Sequence, residues 1–273
     1  VVKSFIRLYI IFVKTRIKKR IKAPHADMKE LYDIAPKNEK IRRQDTISRM
    51  QKRVESLIEH FDEYVEVFNQ RNLFTGPSVY FHNKTLEILR SHKKPSDALL
   101  DDLFFDYLYA TLTSWGLHRM GPVRAKLTEL KDVKESFRKM KEQITVLECL
   151  EITNIQEGNI TSITSNLWEV LANTRVSVSQ TKIVANSKAL HHILPELMPP
   201  IDREYTLRFF YNNTNLNQSD EVAFKEIYPY FHKIESACKD KIMSHIGVGM
   251  NTSQTKVIDN AIVGFVLKEL KRE

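Results

Sequence analysis

Glycine is scarce in this 273-residue chain, with seven in all. A fold built on strands and tight turns needs more positions of that kind, so the shortage favours helices. Cysteine is scarcer: Cys149 and Cys238 stand far apart, with no C-x-x-C and no dense Cys/His group to suggest a structural zinc site. Both thiols are expected to be reduced and buried, as in a cytoplasmic protein. No Walker motif and no G-x-S-x-G is present, and Gly247-Val248-Gly249 lacks the third glycine of a dinucleotide fingerprint. The reading therefore includes no cofactor and no metal. Long uncharged apolar runs are missing as well. Val1–Val13 is apolar, but it is short and interrupted by Lys3 and Arg7, so no integral membrane span is expected.

What the chain has in excess is positive charge, formally +8, and its location decides its meaning. Residues 1–45 hold 13 Lys+Arg against 5 Asp+Glu, which leaves 29 of each in the remainder. The body is neutral, and any phosphate-binding face on it must come from local asymmetry. Three readings stand for residues 1–27: a basic amphipathic helix on a membrane surface, an arm that packs on the body or touches nucleic acid, or an extension outside the native protein, with Met28 as the start.

Leucine, lysine, glutamate and isoleucine dominate, and their periodicity predicts an all-α fold of about nine helices, orthogonally packed or bundle-like, with no significant sheet. The clearest stripe runs through Ile47, Met50, Val54, Leu57, Phe61, Tyr64 and Phe68. Further helices are expected over 78–92, with His82 and His92 on the surface, and over 97–115, in the core. One long helix is expected over 122–149, then others over 162–173, 179–194, 203–211 and 220–243. Pro229 should kink or interrupt the last of these. An amphipathic helix over 253–270 closes the chain. Polar residues 151–161 suggest a boundary between parts 28–150 and 151–273, unless 28–273 is one continuous domain.

The densest stretch is Val184–Thr206. Ile183, Val184, Ser187, Leu190, His191 and Leu194 make a helical stripe that Pro195 should end. Pro199-Pro200 stiffens the crossover and delivers Asp202 to the start of the next helix, where it suits an N-cap. A carboxylate on so stiff a backbone also suits catalytic positioning, and a helix–turn return could bring Lys188 to it. Trp115–Pro122, with two glycines, His118 and Arg119, reads as either a pocket-lining loop or a glycine cap followed by a proline-led helix. His191-His192 is read as hydrogen-bonded rather than metal-binding, because adjacent helical residues point about 100° apart. Asp101, Asp102 and Asp106 read as a solvated face.

Lys188 with Val184 and Leu190, followed by Pro200-Ile201-Asp202, resembles the lysine-to-aspartate segment of the helix-hairpin-helix DNA glycosylases. The resemblance covers roughly residues 184–206. It implies that Lys188 attacks the sugar of a damaged nucleotide and that Asp202 caps the later helix and assists. It also implies DNA as a partner, with Arg203, His118, Arg119 and Lys182 as candidate contacts to nucleic acid. The family's hairpin glycines are replaced here by Ala185, Asn186 and Ser187, and the lysine-to-aspartate interval is shorter. Two expectations follow: a divergent glycosylase-like, nucleic-acid-associated protein, or a non-catalytic helical interaction module in which the same residues are caps and packing contacts.

Overall fold

A computed structural model describes residues 28–71, 73–118 and 126–271, with side chains from residue 43 onward. The readings placed on residues 1–27, on Arg119 and on Gly121-Pro122 lie outside the described residues. The chain divides into two units, Val1–Ser48 and Arg49–Glu273. The second is one unit that includes the polar stretch 151–161.

The fold is all-α, with 73% of residues helical and, among the described residues, no strand or sheet. Among the described residues twelve α-helices replace the expected nine or so. They are α1 (Met28–Glu59), α2 (Phe61–Arg71), α3 (Pro77–Ser91), α4 (Pro95–Ala98), α5 (Asp102–Leu112) and α6 (Leu130–Lys139). There follow α7 (Lys141–Leu147), α8 (Ile160–Asn173), α9 (Ile183–His191), α10 (Arg208–Tyr211), α11 (Asp220–His245) and α12 (Gln254–Phe265). Wide π turns extend three of them, over Thr113–Leu117, Arg203–Leu207 and Val266–Leu270.

Most of the higher count comes from breaking long stripes. The stripe expected as one helix over 46–74 divides at His60. The helix expected over 122–149 is α6 and α7, interrupted at Met140 (φ −96°, ψ 13°). Residues 126–129 are extended: Thr128 donates its N–H to Val176 O, and Leu127 forms an isolated antiparallel bridge with Ser177. Those tertiary bonds outcompete the helical ladder. Pro229, by contrast, does not interrupt α11. The carbonyl deprived of its helical donor belongs to exposed Lys225, where water can serve it. The non-helical residue in α11 is Cys238.

Helix α12 packs along α2 and α11, α3 along α5, and α8 along α11. All twelve residues of α12 are buried, the polar ones of the expected amphipathic pattern included. Its polar positions Lys256, Asp259 and Asn260 follow the i, i+3, i+4 spacing that marks a solvated face, but here they satisfy one another inside the protein. Gly264 is indispensable to this packing. A methyl group on it would stand 1.9 Å from the carbonyl oxygen of Tyr64 on α2. Cys238 is buried and Cys149 exposed, both unpaired; the latter corrects the expectation that both are buried.

Candidate functional site

The site is assembled by a return of the chain on itself. Helix α9 ends at His191, and Leu197 and Met198 donate N–H bonds to Leu194 O in the turn that follows. Pro199 and Pro200 then run back toward α9. Ser187 Oγ accepts the N–H of Ile201 at 3.0 Å. That bond sets the register one residue on, where Lys188 Nζ donates to Asp202 Oδ2 at 2.8 Å. Ser187 thus ties the two arms of the return together.

Asp202 divides its oxygens between two tasks. Oδ2 takes the Lys188 ammonium, while Oδ1 accepts the N–H of Glu204 at 2.7 Å. Thr206 Oγ1 reciprocates by accepting the Asp202 N–H at 3.0 Å. The cap and the lysine partner expected from the sequence coexist in one side chain. Burial alone would raise this carboxyl, but Lys188 and the N–H groups of Glu204 and Tyr205 outweigh it and hold the pKa below the ordinary range. The Lys188 side chain is 11% exposed and that of Asp202 31%.

Two cavities meet at this pair. An outer cleft of about 710 Å³ is lined by Lys126, Ser179, Thr181 and Arg203 among others. An inner cavity of about 240 Å³ is lined by Phe74, Pro200, Lys256 and Asp259 among others. Trp115, Lys188, Asp202 and Tyr205 belong to both, so they form the partition between them. Gly116, at φ 89°, turns the chain beside Trp115 and lines the outer cleft.

Of the other candidate contacts, Arg203 lines the outer cleft and is steadied by Asn215 Oδ1 (3.3 Å) and Thr181 Oγ1 (3.4 Å). His118 does not join it. Its ring nitrogen Nδ1 bonds Thr113 O at 2.8 Å, and it lines a separate surface depression with Phe81 and Thr113. Lys182 stands at the N-cap of α9, where its backbone N–H, like that of Ile183, is taken by the carboxylate of Asp220. No polar contact of the Lys182 side chain is found among the described residues.

Sequence reasoning missed two groups. The first is the buried pair Lys256–Asp259 on α12, with Nζ to Oδ2 at 2.6 Å and a further bond from Nζ to Asn260 Oδ1 at 2.7 Å. The ammonium also lies 5.6, 5.2 and 5.7 Å from the ring centres of Phe68, Phe74 and Trp115. Its only signal in the sequence is the i, i+3, i+4 spacing, which an exposed polar stripe would share. Burial pushes the Asp259 carboxyl up, and the neighbouring Lys256 opposes that without cancelling it.

The second is a histidine chain. His82, expected on the surface, is fully buried against His192 and Trp115. His192 Nδ1 meets the Lys188 carbonyl at 2.7 Å, so this nitrogen carries the proton. His192 Nε2 then accepts from His82 Nδ1 at 2.9 Å, and His82 Nε2 accepts from the Thr252 hydroxyl at 2.9 Å. His191 donates to Met198 O at 2.8 Å. Burial holds all three imidazoles below their usual pKa, His192 at about 4. They are neutral and packed against one another, and His192 ties them to the Lys188 carbonyl. Among the described residues no group of three or more His, Cys, Asp or Glu is arranged to hold a metal ion. No described helix is long and apolar enough to cross a membrane.

No known protein family, no curated protein and no solved structure matches this chain.

Proposed function

We propose that the chain is a nucleic-acid-associated enzyme of the glycosylase type, in which the Lys188 amine and the Asp202 carboxylate act on an N-glycosidic bond. The observation that carries this reading is the 2.8 Å contact between Lys188 Nζ and Asp202 Oδ2 on the wall shared by two cavities. In it the outer cleft, with Lys126, Arg203 and the hydroxyls of Ser179 and Thr181, takes a sugar–phosphate strand. The inner cavity takes the base.

The chemistry asked of the pair is compact. Lys188 gives its proton to Asp202 along their hydrogen bond, and the neutral amine attacks the anomeric carbon. A C–N bond forms to the lysine as the bond to the base breaks. The base leaves with the electron pair and takes the proton held by Asp202, which returns to its carboxylate form. A second proton passes from the lysine nitrogen to the sugar ring oxygen as the ring opens, which gives a protonated imine. Asp202 in its carboxylate form stabilises positive charge that develops on the sugar. Borohydride reduces such an imine to a stable adduct. Incubation with oligonucleotides carrying an abasic site or a damaged base should therefore trap a protein–DNA adduct, absent in Lys188→Ala. Binding of the same oligonucleotides should weaken as salt rises.

One observation favours a second reading. Asp202 Oδ1 is already committed to the Glu204 N–H, which makes the pair a structural clasp between α9 and the turn after it. Absence of an adduct together with salt-independent or undetectable DNA binding establishes that reading, a helical interaction module, over the first.

A further inference from the structure

The inner cavity carries chemistry that the Lys188–Asp202 pair does not explain. Asp259 is 6% exposed and commits Oδ2 to Lys256 at 2.6 Å, while Oδ1 makes no hydrogen bond among the described residues. It is an acceptor without a protein partner on a residue that lines the cavity. Lys188 lines the same cavity, and its ammonium spends one of its three N–H groups on Asp202. Lys256 is different: two of its N–H groups are used on Asp259 and Asn260, and rings surround it. The cavity thus offers one free acceptor and a lysine with donors to spare. Its two lysines and two carboxylates sum to no charge, so an ion entering would find no counter-charge there. Its walls are flat: Trp115, Phe74 and Tyr205. At about 240 Å³ it lies below the usual range of drug-sized pockets, which begins near roughly 300 Å³.

We infer that the inner cavity binds a small, flat, uncharged heterocycle with an N–H next to a carbonyl, the N–H donated to Asp259 and the carbonyl accepting from Lys188. Uracil and hypoxanthine have this lactam edge; a fully N-methylated ring keeps the carbonyls and loses the donor. The inference rests on the reading above in placing the ligand beside Lys188, and it names Asp259 as the residue that selects it. The same edge is presented by a free heterocycle or by a base within a nucleic-acid strand, and the experiment separates the two.

The test is calorimetric titration of the full chain with uracil, with 1,3-dimethyluracil, and with a single-stranded oligonucleotide carrying one deoxyuridine or, as control, thymidine 3-methylated at that position. Uracil should bind at least tenfold more tightly than its dimethyl analogue, the size of effect expected when a buried charged acceptor loses its donor. Leu73→Trp, a change at a 41%-exposed residue of the cavity wall, should reduce binding at least tenfold without altering the fold. Asp259→Asn should erase the preference over the methylated ring. Should that variant not fold, the ligand pair and Leu73→Trp still decide. Uracil binding with these sensitivities, but none for the oligonucleotide, supports a free heterocycle as the ligand and removes the DNA reading alone. Binding of the deoxyuridine oligonucleotide in preference to its methylated control, again lost in Leu73→Trp, supports a base in a strand. Equal affinity for methylated and unmethylated rings, or no binding of either probe, overturns the inference even if Lys188 still traps abasic DNA.

Discussion

Lys188–Asp202 and Lys256–Asp259 are chemically the same pair on the walls of the same cavity, yet they are held in opposite ways. The first joins the end of one helix to the start of another across fourteen residues, and its acid is 31% exposed at the partition. The second lies within one turn of α12, with side chains 1% and 8% exposed. Opposite directions of pKa shift accompany this: Asp202 is held low, Asp259 is pushed up. In the first, partner charge and backbone N–H groups outweigh desolvation; in the second, desolvation outweighs the partner. Lys188–Asp202 thus holds an ionised carboxylate at a partly exposed wall, whereas Lys256–Asp259 holds its acid against the cost of burial.

The sharpest way to break that contrast is to remove one member of the inner pair. Lys256→Met or Asp259→Ala leaves a buried charge alone and should cost about 3–5 kcal/mol in urea unfolding. Replacing both by apolar residues of similar size should recover most of it. If either single change costs no more than the corresponding change at Lys188 or Asp202, the distinction collapses.

Next in size is the response to acid. His192 sits at about 4 in the folded protein against an ordinary 6.5, with His82 and His191 also lowered by burial. The unfolded chain takes up these protons first, so stability is full above about pH 6.5 and falls as pH drops toward 4. His192 alone sets an upper bound of about 3 kcal/mol. Urea midpoints at successive pH values should show this slope, and His192→Gln should flatten it. A wild-type profile level between pH 7 and 4.5 would mean that these buried imidazoles are not held neutral.

Gly264→Ala comes third. Its methyl group meets main chain, which cannot rotate away, and about 2–3 kcal/mol should be lost. The smallest effect belongs to the outer pair: Asp202→Ala removes a cap and should cost about 1 kcal/mol, and Asp202→Asn less, because the amide oxygen still accepts the Glu204 N–H. The pair's own contribution is present above the ordinary carboxylate pKa and disappears as pH falls through the lowered value for Asp202. A loss near 3 kcal/mol for Asp202→Asn would make the outer pair structural.

Where local signals governed, the sequence was informative. The apolar stripe places α3 within a residue of the expected 78–92, and α11 starts at residue 220 as expected. The cap at Asp202 follows from its residue type after two prolines. The contact with Lys188 was suggested by the return but not fixed by it, since the register depends on the Ser187–Ile201 bond, which no spacing rule encodes. His82 was misplaced because its partners come from residues 192 and 252, far along the chain. Helix α12 was misjudged for a different reason: a polar stripe has one pattern whether it faces water or pairs with itself. Residues 126–129 left the helical pattern because Thr128 found hydrogen bonds on residues 175 and 176.

The contact between Gly264 and the Tyr64 carbonyl has one more result. Two backbones approach there with no side chain as spacer, so the separation of α12 from α2 is set by main-chain contact rather than by side-chain packing. Val263, next in the chain, and Asp259, little more than a turn earlier, inherit that position on the wall of the inner cavity.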